Sequence, residues 1–198
     1  MAWTKAGTTT LTGTADIIDI DPVTDNKFIT LLHHGLYSGD SNGTFNFNND
    51  SSGTNGSSGN YAQRNNYAGG SEGVNVSQTK FSYNDSSTHD SIFSVSYIVN
   101  IDTEEKLFVT HYGTVTSTSA GVAPFRAEQV GKWSNTSDEI DSIKHTQSSG
   151  GGDYLTDSNV SVIGSDGVES LNVQDGAVYY DKQLNKEYVL NNNIWTEV

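Results

Sequence analysis

The chain has no cysteine. Disulfide stapling, thiol catalysis and Cys-ligated zinc are therefore excluded. Basic residues are scarce: Lys and Arg number 10 against 24 Asp and Glu, for a net charge of −14. So acidic a surface repels nucleic acid and anionic lipid, and neither is expected as a partner. It tolerates salt, because at ~0.5 M the Debye length shrinks to about 4 Å and self-repulsion is quieted. That is compatible with a marine or extracellular setting. No apolar run approaches the ~20 residues of a membrane helix, so no membrane insertion is expected. The opening MAWTKAGTTTL has no apolar h-region. No signal peptide is expected, and release by lysis would suit such a product.

Long helical patterns are also missing. Hydrophobic residues make up only 33% of the 198, yet aromatics reach 10%. That balance fits a thin two-sheet core wrapped in long polar loops better than disorder, which is poor in aromatics. The expected fold is an all-β antiparallel β-sandwich over residues 1–168. A small C-terminal β-meander follows over 169–198.

The best-patterned stretch is Ser91 to Val115. Phe93, Val95, Tyr97, Val99 and Ile101 recur every second residue, with Ser94, Ser96 and Asn100 between them. Period two at this length is a half-buried strand. A charged turn at Asp102-Thr103-Glu104-Glu105 leads into a second alternating run from Leu107 to Tyr112. The pair reads as an antiparallel hairpin at the centre of the sandwich. Further strands are expected at 3–12, 14–20, 27–36, 44–48, 74–83 and 129–133, with weaker ones at 61–64, 139–146 and 160–163. Residues 49–60 and 65–73 read as polar loops, the first long and free of apolar anchors. The tail yields three short strands at 177–180, 187–190 and 194–198, too small to stand alone.

Chemistry-bearing residues are sparse. Asp16, Asp19, Asp21 and Asp25 cluster near one strand end, and Asp19, Asp21 and Asp25 are the candidate ligands for Ca²⁺. Their spacing does not match an EF-hand, a solvated acidic face explains them as well, and no other cofactor is expected. His33 and His34 point to opposite faces of one strand and cannot clasp a metal together. His89-Asp90 lacks a nucleophile elbow, and Glu104-Glu105 are neighbours rather than carboxylates facing across a cleft. Tyr37, Tyr61 and Tyr67, with Asn60, Arg64 and Asn65, could stack on a sugar or protein surface; equally, the tyrosines could pack inward. Val178, Tyr180, Tyr188, Leu190, Ile194 and Trp195 expose more apolar surface than a free meander should. They are the expected oligomer contact, most simply of a homotrimer, unless the tail folds back as a cap.

Several segments taken in order resemble a family of virion structural proteins of tailed viruses, many of them marine. They are Lys27-Phe28 leading to Leu31-Leu32-His33, Phe45 to Asp50, Asn60-Tyr61-Ala62 with Arg64, Ser77-Gln78-Thr79, Tyr97 to Ile101, Ala123-Pro124 with Arg126 and Glu128, and Gly131-Lys132-Trp133. The tail from Asp175 to Thr196 resembles short C-terminal modules of phage structural proteins. The resemblance implies a jelly-roll-like β-sandwich virion component and brings no catalytic residues with it. The expected role is non-enzymatic and exposed on the particle, as capsid decoration or as host attachment at a tail or fibre tip. Partners would be other virion proteins and a host-surface glycan or protein. A carbohydrate-binding lectin or adhesin is the alternative, and an export signal would have favoured it.

Overall fold

The computed structural model describes residues 3–39, 43–50, 59–83, 91–115, 119–147, 152–166, 176, 178–181, 185–191 and 194–198. Among the described residues every regular element is a β-strand and every pairing is antiparallel. The chain divides into two compact units, Ala2–Ser165 and Asp166–Val198.

The larger unit is a sandwich of an eight-stranded and a four-stranded sheet. In spatial order the large sheet holds β1 (Thr4–Thr10), β12 (Asn159–Ser165), β3 (Phe28–Leu36), β8 (Ser91–Val99), β9 (Lys106–Val115), β10 (Phe125–Trp133), β5 (Tyr61–Tyr67) and β6 (Glu72–Gln78). The small sheet holds β2 (Ile17–Ile20), β11 (Ile143–Gln147), β4 (Gly43–Phe47) and β7 (Phe81–Ser82). The second unit is a three-stranded meander of β13 (Val178–Asp181), β14 (Lys186–Asn191) and β15 (Ile194–Glu197).

The hairpin of β8 and β9 sits at the middle of the large sheet, in register from Ser91↔Val115 to Ile98↔Phe108. Its connection is pinned from beneath. The ammonium of buried Lys106 donates to the carbonyls of Asp102, Glu104 and Asn135 at 3.2, 3.0 and 3.0 Å. Burial lowers its pKa, while Asp102, Asp138 and Glu139 pull it back up. Buried Asn100 ties the same loop outward: its amide donates to the Asn26 carbonyl, and its oxygen accepts from the Ile140 N–H at 2.7 Å.

The space between the sheets is filled mainly by aromatic rings from the small sheet and its flank. Phe45, Phe47, Phe81 and Tyr83 are all buried. Phe81 packs edge-on against Phe108 of β9 at 3.9 Å, Tyr83 against Tyr112 at 5.4 Å, and Phe47 against Trp133 of β10 at 5.7 Å. Between these contacts the large sheet offers small polar groups. Ser94 meets the Tyr83 hydroxyl at 3.2 Å, and Ser96 and Thr110 share a buried hydroxyl bond of 2.7 Å.

Hence the hairpin is turned opposite to what its alternation suggests. The apolar row Phe93, Val95, Tyr97 would be buried if hydrophobicity alone chose the side. Instead the buried positions of β8 are Ile92, Ser94, Ser96 and Ile98, and Phe93 and Tyr97 stand 54% and 55% exposed. The reason is volume: the aromatic rings of the small sheet, together with Phe108 and Tyr112 of β9, already occupy the interior, and beside them β8 has room for small side chains such as Ser94 and Ser96.

The segment 65–73, expected as loop, is mostly strand. It turns only at Ala68 and Gly69, both at positive φ. The strand was hidden because β5 points amides inward. The Gln63 side chain donates to the Ser82 carbonyl and accepts from the Ser82 N–H, both at 3.0 Å, imitating a neighbouring strand. Of the long loop at 49–60, residues 51–58 lie outside the described residues. Its two ends converge on the Asp50 carboxylate, which accepts from Asn60 at 2.9 Å and from the Trp133 indole at 2.7 Å.

Candidate binding face

Turning the apolar row of β8 outward builds a continuous surface on the large sheet. The register aligns Thr30, Tyr97, Val109, Val130, Arg64 and Val74 across six strands, one from each. In the next row Phe28 pairs with Val99, and Leu107 with Lys132. Leu107 is 56% exposed, Val74 52% and Val130 48%. Outward positions of β3, β8 and β9 include Phe28, Leu32, His34, Phe93, Val95, Tyr97, Val99, Leu107, Val109, His111 and Val115. None of the outward positions of these three strands is Asp, Glu, Lys or Arg. On a chain of net charge −14, an uncharged field across three central strands departs sharply from the rest of the surface.

Charge returns on the flanking strands β10 and β5, as Arg126, Glu128 and Lys132 on the first and Arg64 on the second, and two of these are paired. Lys132 reaches both oxygens of Glu105 at 2.7 and 2.8 Å, and Arg64 is ion-paired to Glu72. Between them lies an apolar-floored groove of about 280 Å³, lined by Ala62, Arg64, Val74, Val76, Leu107 and Val130 among others. The face can desolvate a flat apolar surface and gain by dispersion. It presents no paired acid and base and no activated nucleophile.

The residues singled out from sequence are scattered. Arg64 lies on this face. Tyr37 and Tyr61 do not offer their rings to a ligand: both are buried, Tyr37 against Tyr154 at 5.4 Å and Tyr61 edge-on to Phe81 at 4.7 Å. Burial pushes the Tyr61 hydroxyl well up, and that hydroxyl bonds the backbone of Phe47 and Asp50. Tyr67 is half-buried, edge-on to Tyr112. Asn60 anchors Asp50. The tyrosines follow the inward alternative because β5 and the strand-end bridge of Tyr37 to Tyr154 point them at the core.

The three aspartates do not converge. Asp19 lies 3.8 Å from the Lys144 ammonium, while Asp25 bonds the Glu139 carboxyl. That bond, together with burial and the charges of Asp25 and Asp102, raises Glu139 to about 7. Asp21 is exposed at the end of β2. Among the described residues no three His, Asp or Glu side chains are placed to hold a metal ion. In the tail, Val178, Tyr180 and Ile194 are exposed and Tyr188 is half-buried. The side chains of Leu190 and Trp195, like His89 and Asp90, lie outside the described residues.

One group was missed from sequence. His33 and His145 are fully buried with ring centroids 4.4 Å apart, and Phe45 stacks on His145. Among the described residues neither ring has a hydrogen-bond partner. Burial drives His145 down to about 3 and His33 well below its ordinary value, so both are neutral at pH 7. Sealed from solvent, the pair cannot act on an outside substrate. Its partners come from β3 and β11, 112 positions apart in the chain (145 minus 33), and no local spacing signals them.

No protein family, curated protein or solved structure matches this chain.

Proposed function

We propose that this chain is a non-enzymatic structural protein displayed on a viral particle, acting by binding. The observation that carries the binding role is the uncharged apolar face over β3, β8 and β9 on an otherwise acidic molecule. Exposed apolar surface of that extent on a soluble domain marks an interaction site. The viral setting is supported by the ordered segments from Lys27 to Trp133 and by the appended tail. Of the two roles, decoration of a capsid is favoured over receptor attachment. A flat apolar face suits a permanent protein contact, whereas a glycan receptor calls for converging donors and acceptors.

The reading is tested on particles. Antibody raised against the chain should label intact virions in electron micrographs, in a regular pattern over the shell. Label confined to the tail tip would replace decoration by attachment. Recovery of the chain only in the soluble lysate, with unlabelled particles, would overturn the reading.

A further inference from the structure

We propose that the outer face of the large sheet seats the same face of a second copy of this chain, two sandwiches packing sheet on sheet about a two-fold axis. This rests on the reading of that face as a binding surface and names its occupant.

Charge argues for a copy of itself. At net charge −14, two copies repel wherever their acidic surfaces meet. The field over β3, β8 and β9 is where that repulsion is least, because its outward positions carry no charged residue. A basic partner would be drawn to the acidic surfaces instead and gains nothing here. A glycan finds few hydrogen-bonding groups on the central strands, chiefly His34, Tyr97 and His111. Size argues the same way. The five strands β3, β8, β9, β10 and β5 run 9, 9, 10, 9 and 7 residues. At ~4.8 Å between strands and ~3.3 Å per residue they present roughly 24 by 30 Å, about 700 Å², of which the uncharged strands β3, β8 and β9 make up about 430 Å², while β10 and β5 add Val130 and Ala62 among Arg126, Glu128, Lys132 and Arg64. The five-strand area approaches the ~800 Å² per partner of a stable interface. Shape argues it too: a sheet face packs well on another at ~10 Å, and a two-fold axis lays the Tyr97–Val109–Val130 row against itself.

The test is sedimentation of the full chain across roughly 1–100 µM, where dimers of ordinary affinity form and dissociate. The wild type should run as a dimer. Tyr97→Asp should weaken it by about tenfold or more, as loss of a central aromatic anchor does, with unchanged circular dichroism. Val178→Asp in the tail should leave the dimer intact. If Tyr97→Asp misfolds, Leu107→Lys and Val109→Thr serve in its place. A wild type that stays monomeric or runs as a trimer overturns the proposal. So does dissociation by Val178→Asp but not by Tyr97→Asp. A monomer whose Tyr97→Asp variant no longer binds particles removes the second copy but leaves the binding face standing. A monomer whose variant still binds particles removes both.

Discussion

The two faces of the hairpin β8–β9 depart from the usual arrangement. The side turned to the interior carries Ser94, Ser96, Thr110 and Thr114, all buried. The side turned to solvent carries Phe93, Tyr97, Leu107, Val109 and Val115, all exposed. The small polar groups of the inner face stand among Ile92, Ile98, Phe108 and Tyr112, at points where the rings of the facing sheet leave only small gaps. At Gly131 of β10 the fit is so tight that a Cβ would overlap the Phe108 ring and come within 2.7 Å of Phe81. The outer face is apolar and, among the described residues, stands exposed. Burial and apolarity, usually read as one property, are here partly separate, and the proposed binding face rests on that mismatch.

The sharpest way to break the comparison is to hollow the inner face. Phe108→Ala removes a ring that touches both Phe45 and Phe81. It should lower stability by about 3–5 kcal/mol, as buried aromatic truncations do, read as a shift in the urea midpoint at constant slope. A loss under about 1 kcal/mol would mean that the ring lies at a surface.

Acid probes the inner face next. His33 and His145 are neutral in the folded interior, and in the unfolded chain they take up protons near their ordinary 6.5. Their contribution is therefore intact above 6.5 and is lost as pH falls. The loss is up to about 1.4 kcal/mol per pH unit for each ring, because one proton distinguishes the two states. Glu139, raised to about 7 by its bond to Asp25, acts in the opposite sense, gaining as pH falls towards 4.5. It is partly exposed, so solvent screening discounts its share. The net expectation is a melting temperature that falls between pH 6.5 and 5, with a flatter slope in His145→Phe. A melting temperature independent of pH over that range would show the rings to be hydrated in the folded state.

Ser96→Ala should cost about 1–2 kcal/mol, because it strands the buried Thr110 hydroxyl that bonds it at 2.7 Å. Pairing it with Thr110→Val should recover much of that loss, and a double-mutant cycle measures the coupling. The smallest effect belongs to the outer face. Val109→Thr, measured at dilutions where the chain is single, should change stability by less than about 0.5 kcal/mol. A loss comparable to Phe108→Ala would show that the outer face is packed within one chain.

What the sequence by itself determined is the all-β character and the placement of most strands. Alternation from Ser91 to Val115 encodes the central hairpin, and the tail's three strands are each legible from a short apolar run between turn residues. Alternation is local, set by the two-residue repeat of the extended chain. Two things were beyond it. Strands whose inward residues are amides, such as Gln63 and Asn65 of β5, carry no hydrophobic period, and Gln63 is satisfied by Ser82, 19 residues away. Nor does period two say which of a strand's faces meets the second sheet. Only the tertiary structure decided that. Long-range pairing of β11 with β2 and β4 assembles the small sheet, and its aromatics fill the interior. With that space taken, Tyr97 and its row could go only outward, while Tyr37 and Tyr61 went in.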